Sequence, residues 1–197
     1  MLFCNETLIT KAGPAGPATA ALAVPPAAAA ASFVIRPAQQ EDVTAIFDLV
    51  RQGLFSYAAT VGLPPDRSGL PPLAGLQESP ADTAAALLSH TVLVGCLGDQ
   101  IAGTVRLDFS RSDAVLFERF AVAANWRRQG LARLLFAEAV RLGHLYGHKT
   151  LILHTAYGDF PALKFYEKLG FKILEISTKG PYPRAKMAYR LTDGPVG

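Results

Sequence analysis

Apolar and polar residues follow one another with two different periods, which predicts that strands and helices alternate along the chain. Residues 114–122 form a mostly apolar run that is typical of a buried strand. From Leu131 onward, apolar residues recur every three or four positions, which predicts a helix with one face on a core. That predicted face consists of Leu131, Leu134, Leu135, Ala139, Leu142, Leu145 and Tyr146. Gly147 supplies a left-handed stop for the helix.

The remaining pattern predicts further strands and helices on both sides of this pair. Strands are expected at residues 33–35, 91–97, 100–108, 150–155, 171–176 and 185–191, with a hairpin turn at Gly98 and Asp99. Helices are expected from Glu41 to about Gly53, over residues 81–89, and over residues 161–169, where Gly170 closes the last one. The run at 150–155 is apolar enough to predict a buried strand.

The first 31 residues have a different composition from the rest of the chain. They are rich in Ala, Pro and Gly, and Pro14, Pro17, Pro25 and Pro26 interrupt any long helix or membrane span. We therefore expect a flexible arm over residues 1–31 and one folded domain over residues 32–197. Basic residues are scarce in the arm, so a cytoplasmic location is expected, with a targeting peptide as the open alternative.

Composition and charge exclude several classes of function. Half of the 197 residues are hydrophobic and 18% are charged, which is typical of a globular domain. The net charge is only +3, and no base-reading motif accompanies the arginines, so a nucleic-acid partner is not expected. No membrane partner is expected either.

Cysteine and histidine positions do not predict a metal site. Cys4 and Cys96 are far apart, and Cys96 lies in an apolar run where a buried, inert thiol is the simplest interpretation. His144 and His148 have the spacing of a helical zinc pair, but Gly147 should end the helix between them, and no third ligand is suggested nearby. We therefore expect no bound metal.

The turn between the central strand and the central helix has the properties of an anion site. Backbone N–H groups at the start of a helix are unpaired and lie at the positive end of the helix dipole. Small residues in the turn let a phosphate approach the backbone, and arginines add charged hydrogen bonds. The residues concerned are Arg127, Arg128, Gln129, Gly130, Leu131, Ala132 and Arg133. The alternative is a solvated basic turn, which a short glycine-containing motif does not exclude.

Two segments of the chain resemble the GNAT superfamily of N-acetyltransferases. Phe120-Ala121-Val122, a short loop, Trp126 and Arg-x-x-Gly-x-Ala are similar to the acetyl-CoA-binding segment of that family. Residues 162–171 are similar to its A-x-x-F-Y-x-x-x-G-F segment. Because both occur in the right order with one predicted strand between them, the pair is far more specific than either alone. The resemblance extends from about Val34 to Leu191.

The resemblance implies a fold and a reaction. The fold is α/β, with a mixed, mostly antiparallel sheet of six or seven strands and helices on both faces. Acetyl-CoA is the expected cosubstrate: the main chain of Phe120, Ala121 and Val122 would hold the pantetheine arm and thioester carbonyl, and the turn at residues 127–133 would hold the phosphates. The expected partner is a primary amine on a small molecule or a protein, and a homodimer is compatible with the family. Direct attack in a ternary complex is expected, since neither cysteine lies in these segments.

The resemblance also assigns catalytic candidates. Tyr166 matches the family position that protonates the sulfur of coenzyme A, and a tyrosine with a pKa near ~10 carries its proton at neutral pH; the alternative is aromatic packing beside Phe165. For the base, Glu118 on the central strand and His154 on the next strand are both candidates, and a histidine titrates near ~6.5. A surface ion pair, a core histidine, or the absence of any dedicated base are the alternatives.

Other positions leave their roles open. Asp159 stands where the family often has an Asn that contacts pantetheine, but Asp is also a good helix N-cap. The Gly- and Pro-rich stretch 54–80 carries Phe55, Tyr57, Leu63 and Leu70, which either shape the acceptor pocket or cover the core. Lys179, Arg184 and Lys186 favour an acceptor with negative charge. A regulatory module that binds an acyl-CoA without turnover is the alternative to an enzyme.

Overall fold

Residues 32–191 are the part of the chain that this computed structural model describes. The predicted N-terminal arm and targeting peptide therefore lie outside the described residues. The strands are β1 (Val34–Pro37), β2 (Thr91–Leu97), β3 (Gln100–Asp108), β4 (Ala114–Val122), β5 (Thr150–Ala156), β6 (Lys172–Ser177) and β7 (Arg184–Arg190). The helices are α1 (Val43–Thr60), α2 (Pro80–Ser89), α3 (Leu131–Leu145) and α4 (Phe160–Lys168).

The seven strands form one sheet in the order β1-β2-β3-β4-β5-β7-β6. The β4–β5 pair is parallel, and every other neighbouring pair in the described residues is antiparallel. The predicted α/β fold with a mixed, mostly antiparallel sheet is confirmed. The parallel pair is possible because α3 carries the chain from the end of β4 back to the start of β5.

The two faces of the sheet bury separate cores. On one face, α3 and α4 cover side chains such as Val105, Val115 and Leu151. On the other face, Ile46 and Val50 of α1 pack on a smaller cluster from β2 that includes Cys96. The prediction of a buried Cys96 is confirmed. No helix within residues 32–191 is both long enough and apolar enough to cross a membrane.

Helix α1 does not end near Gly53, as the sequence pattern predicted, but continues to Thr60. Gly53 lies in the helix interior, where a Cβ atom would be 3.7 Å from the Cβ of Ala121 on β4. That distance is an ordinary van der Waals contact, so Gly53 lies on the face of the helix that packs on the sheet and does not end the helix. As a result, the last two turns of α1 extend over the region of β4 that carries the predicted site.

Helix α3 begins at Leu131, and Gly147 follows its end with a φ of 73°, so both predicted limits are confirmed. The predicted apolar face is wrong in part, because Leu134, Leu145 and Tyr146 are 44%, 64% and 58% exposed. Tyr146 packs at the surface on Phe109, with ring centroids 4.9 Å apart. The buried face instead includes Phe136 and Val140.

The first residue of α3 anchors the helix to the centre of the sheet. The Leu131 side chain is 1% exposed and lies against Gly95 of β2 and Gly103 of β3. A Cβ atom on Gly103 would be only 3.0 Å from both Leu131 Cδ2 and Leu135 Cδ1. Close packing of this kind fixes the position of the helix N-terminus relative to β3 and β4.

Strand β5 is the buried strand that its apolar sequence predicted, except at one position. Leu151 and Leu153 face the α3 side and are buried, whereas His154 is exposed. Because side chains alternate along a strand, His154 lies on the opposite face from Leu153, at an exposed position.

An ion pair at the start of the domain yields a stability prediction. Asp42 is buried and accepts hydrogen bonds from Arg36 Nη1 at 2.6 Å, Arg36 Nη2 at 2.9 Å and the Gln39 amide at 2.7 Å. The bond from Arg36 lowers the pKa of Asp42 below its ordinary 3.8. The stabilisation is therefore present above that value and is lost as the pH falls through the folded-state pKa. We expect Asp42→Asn to lower the free energy of unfolding by roughly 1–3 kcal/mol at pH 7.

Urea unfolding at neutral and strongly acidic pH checks this expectation. The difference between Asp42→Asn and wild type should shrink in acid, where both side chains are neutral. Glu41→Gln removes a neighbouring exposed carboxylate and should have little effect at either pH. An equal loss in Asp42→Asn at both pH values would contradict the electrostatic explanation.

Candidate active site

Strands β4 and β5 separate along their length and leave an opening between them. Their parallel pairing extends only from Ala114 with Thr150 to Leu116 with Ile152. Beyond it, the Ala123 amide donates to the Ala102 carbonyl of β3 at 2.9 Å. Because successive N–H groups of a strand point to opposite sides, those of Val122 and Phe120 point away from β3 and toward the opening.

A cleft of about 1010 Å³ occupies this opening. Twelve of the fourteen residues predicted for the site line it: Glu118, Phe120, Ala121, Val122, Arg127, Arg128, Gly130, Ala132, Arg133, His154, Asp159 and Tyr166. Gln129 and Leu131 do not. The Gln129 amide donates to the Asn125 carbonyl at 2.9 Å, and the Leu131 side chain is in the core, so these two shape the turn that carries the others.

One end of the cleft is the turn before α3. Gly130 is the N-cap with a φ of 91°, and a Cβ placed on it would meet no atom within 4 Å. Within residues 32–191, the amides of Leu131 and Ala132 have no hydrogen-bond acceptor, as expected for the first turn of a helix. Open space beside unpaired amides at the positive end of a helix fits a phosphate group.

One arginine of the turn is bound to the protein main chain, and two others are exposed without an ion-pair partner in the described residues. Arg127 Nε donates to the Val122 carbonyl at 3.2 Å, which ties the turn to the end of β4. Arg128 and Arg133 are exposed, and neither forms an ion pair with another residue in the described part of the chain. They are therefore available to an anionic ligand, and the residues present fit the diphosphate of coenzyme A.

Tyr166 lies deeper in the cleft within an aromatic cluster. Its ring contacts Phe165, Phe171 and Phe120, with centroids 5.4, 5.9 and 6.5 Å away. Burial, and to a smaller extent the negative charge of Asp159, raise the pKa of Tyr166 above its ordinary value of 10.0. The hydroxyl therefore keeps its proton throughout the neutral range and can donate it.

Asp159 is the N-cap of α4. Its side chain is buried and accepts a hydrogen bond from the Ala162 amide at 3.1 Å. The sequence left two roles open for Asp159, a helix N-cap and a contact with pantetheine. The structure shows the N-cap, and the contact with pantetheine stays a prediction. Because the carboxylate also lines the cleft, it supplies the negative charge that acts on Tyr166.

Glu118 and His154 lie on neighbouring strands and both line the cleft. Glu118 is half-buried and forms no ion pair within residues 32–191, contrary to the surface ion pair considered as its alternative. Although His154 is exposed at its surface, the cleft walls partly shield its ring from water; this shielding and the positive charges of Arg184 and Lys186 lower its pKa below 6.5, and Glu118 opposes the shift. His154 is therefore neutral at pH 7.

The far end of the cleft contains residues that the sequence suggested only loosely. Of the four apolar and aromatic candidates in stretch 54–80, Tyr57 lines the cleft and the other three do not. Its ring meets that of Tyr182 edge to face, with centroids 6.4 Å apart, and burial raises its pKa. Arg184 also lies here. The extension of α1 past Gly53 is what places Tyr57 in the wall.

Arg119 was missed entirely in the sequence, although it also lines the cleft. The signal that could have shown it is the pair Glu118-Arg119 in an otherwise apolar strand, since two consecutive charged residues do not fit a regular alternation.

Among residues 32–191, no three His, Cys, Asp or Glu side chains are placed to hold a metal ion.

Comparison with known proteins agrees with this geometry. Residues 68–171, more than half of the chain, match the model of the acetyltransferase (GNAT) family. The chain belongs to the GNAT acetyltransferase family. Family membership supports acyl transfer from a coenzyme A thioester to an amine as the general activity. No curated protein sequence matches significantly.

Solved structures share the fold at low sequence identity. The PaiA N-acetyltransferase from Thermoplasma acidophilum, in complex with coenzyme A, is 16% identical with a TM-score of 0.68, over 81% of this chain and 99% of that one. The putative acetyltransferase YncA from Salmonella typhimurium, with its cofactor acetyl-CoA, is 15% identical with a TM-score of 0.61, over 83% and 96%. The ribosomal-protein-S18-alanine N-acetyltransferase from Escherichia coli is 18% identical with a TM-score of 0.62, over 83% and 96%.

Proposed function

We propose that the protein transfers the acetyl group of acetyl-CoA to a primary amine by direct attack in a ternary complex. The observation that carries this proposal is the divergence of β4 from β5, which opens one cleft between the two strands. Unpaired main-chain amides of β4, the turn at Gly130 with its space for a phosphate group, and Tyr166 all lie along this cleft. Acetyl-CoA supplies the activated thioester. The turn at Gly130 and the arginines beside it hold the phosphates, and the amides of Phe120 and Val122 hold the pantetheine arm and polarise the acyl carbonyl.

Two proton movements complete the chemistry. The attacking amine must lose a proton, and the departing thiolate must gain one. Tyr166 donates its hydroxyl proton to the sulfur, because its raised pKa keeps it protonated. Within residues 32–191 the cysteine is Cys96, which is buried in the core away from the cleft and so is not placed to form a covalent acyl-enzyme.

We assign the base role to Glu118 in preference to His154. An amine arrives as a cation at neutral pH, and a carboxylate attracts it. His154 instead lies among positive charges from Arg184 and Lys186. Glu118 also lies two residues before Phe120, whose amide faces the opening.

This assignment predicts different pH profiles for two variants. Glu118→Gln should lower kcat/KM by at least about tenfold at pH 7. The loss should be smaller at pH 9, where more of the amine is already deprotonated. His154→Gln should keep most of its activity at both pH values. If His154→Gln shows the larger loss and removes the acidic limb of the profile below pH ~6.5, the two roles are exchanged.

The charge around the far end of the cleft indicates the type of acceptor. Arg184 and Lys186 lie on β7 beside His154, and neither has a carboxylate partner in residues 32–191. We therefore expect an amine that also carries a negative group, such as a free amino acid or an acidic peptide N-terminus.

A screen of amine acceptors tests the proposed function. It should include N-terminal peptides with acidic and basic residues, free amino acids and polyamines, and should follow release of free thiol from acetyl-CoA. We expect turnover with acidic or carboxylate-bearing amines. Preference for polyamines would contradict the proposed negative charge of the acceptor, but not the proposed acetyl transfer. Absence of turnover with every acceptor, despite binding of acetyl-CoA, would favour the non-catalytic binding module.

A further inference from the structure

Strand β4 contains a bulge inside the candidate site. Arg106 of β3 is opposite Glu118, whereas Thr104 is opposite Ala121, so β4 has one more residue than β3 between these pairs. The bulge reverses the alternation of side chains along β4. Phe117 and Phe120, three residues apart, both pack on the α3 side, and Ala121 packs on the α1 side. Without the bulge, Phe120 and the following residues would face the opposite way.

Arg119 occupies the strained position of this bulge. Its φ is 48°, a left-handed conformation that favours glycine and is uncommon for other residues. Holding a non-glycine residue in such a conformation is unfavourable and requires support from the surrounding structure. The amides of Phe120 and Val122 follow directly, so their direction depends on this one residue.

Glu78 provides that support through an ion cluster across the bulge. Arg119 Nη2 and Nε donate to Glu78 Oε1 at 2.6 and 3.1 Å. Arg106 donates to both carboxylate oxygens of Glu78, with the nearer contact at 3.1 Å. The three side chains are only 13–23% exposed. Burial opposes ionisation of Glu78, but the bonds from both arginines outweigh it and lower its pKa.

The space inside the cluster is too small for a ligand, although Arg119 also lines the larger cleft. The cavity that Glu78, Arg106 and Arg119 share has a volume of only about 10 Å³. The loop before Glu78 also packs against Arg119. A Cβ atom placed on Gly75 in this loop would lie only 3.2 Å from the Arg119 Cζ atom. One carboxylate thus joins an arginine from each strand at the point where their register changes.

We infer that Glu78 is a positioning residue, which holds Arg119 in its left-handed conformation and so directs the β4 amides at the pantetheine arm and thioester. This inference rests on the proposed binding of acetyl-CoA between β4 and β5. It is independent of turnover, because it concerns affinity. The diphosphate site at Gly130 lies beyond the bulge and is held by α3, so it should not depend on Glu78.

Calorimetry on the full chain with two probes tests the inference. Glu78→Gln and Arg119→Ala should weaken binding of acetyl-CoA about tenfold. Binding of 3′-phosphoadenosine 5′-diphosphate, which lacks the pantetheine arm, should change by less than about twofold. Arg36→Ala, which breaks the ion pair with Asp42 far from the bulge, should change neither affinity.

Glycine at position 119 separates positioning from general stabilisation. Arg119→Gly loses the same ion pair as Arg119→Ala, but glycine adopts a positive φ without strain. We expect Arg119→Gly to recover affinity for acetyl-CoA to within about threefold of wild type, while its melting temperature falls at least as far as that of Arg119→Ala. In the Arg119→Gly background, Glu78→Gln should have no further effect on this affinity.

Three results would overturn the inference: equal losses of affinity in Arg119→Gly and Arg119→Ala, wild-type affinity in Glu78→Gln, or equal losses for both probes. Failure of the proposed function looks different. In that case wild type binds acetyl-CoA and the variants behave as described, but no amine is acetylated.

Discussion

Replacing Tyr166 by Phe is expected to lower kcat roughly 10²- to 10⁴-fold, the usual contribution of a general acid. The aromatic contacts with Phe165 and Phe171 are kept, so the dissociation constant of acetyl-CoA should change by less than about twofold. Only the proton donor to the departing sulfur is removed. Thiol release with a reactive amine measures the first quantity, and calorimetry measures the second.

Tyr146→Phe is the matched control for this experiment. It removes the same hydroxyl from an exposed tyrosine after the C-terminal end of α3, outside the cleft, and should leave kcat unchanged. Wild-type turnover in Tyr166→Phe would show that Tyr166 serves only in packing. A protein that binds acetyl-CoA but has no turnover even before substitution would be the regulatory module.

Gly130→Ala is expected to weaken acetyl-CoA binding roughly five- to thirtyfold. A residue with a side chain at a φ of 91° is disfavoured by about 1–2 kcal/mol, and its Cβ would occupy the open space where the phosphate approaches the amides. Each 1.4 kcal/mol corresponds to about tenfold in affinity. Titration calorimetry with acetyl-CoA checks the value.

Gly147→Ala separates loss of the site from loss of backbone freedom. Gly147 follows the other end of α3, also has a positive φ, and also has open space around it. Its replacement should lower the melting temperature by an amount similar to that for Gly130→Ala while leaving acetyl-CoA affinity unchanged. Equal affinities of wild type and Gly130→Ala would place the diphosphate elsewhere.

Local signals predicted much of the fold. The β2–β3 hairpin around Gly98 and the limits of α3 agree with the structure because apolar periodicity and glycine turns are encoded by neighbouring residues. The two motif segments likewise placed most of the candidate residues around one cleft. Their chemical roles stay predictions until the variants are measured.

The errors arise where distant residues decide the structure. Gly53 was expected to end α1, but its contact is with Ala121 on β4, which no local pattern reveals. The left-handed Arg119 is held by Glu78, 41 residues earlier in the chain. The register shift it causes therefore could not be predicted from the apolar run of β4. Leu145 is exposed at the C-terminal end of α3. Whether a residue there is covered depends on how far the neighbouring strands and loops extend, which the periodicity of the helix does not indicate.

The packing of Leu131 on Gly95 and Gly103 has a consequence for engineering. Replacing glycine in a strand by a residue with a side chain can stabilise a protein by restricting the unfolded chain, but here the added Cβ would overpack the core against Leu131. Substitution at either position should therefore lower the melting temperature and displace the first turn of α3 at the same time. A library selected for heat tolerance would be expected to keep both glycines, although neither lines the cleft.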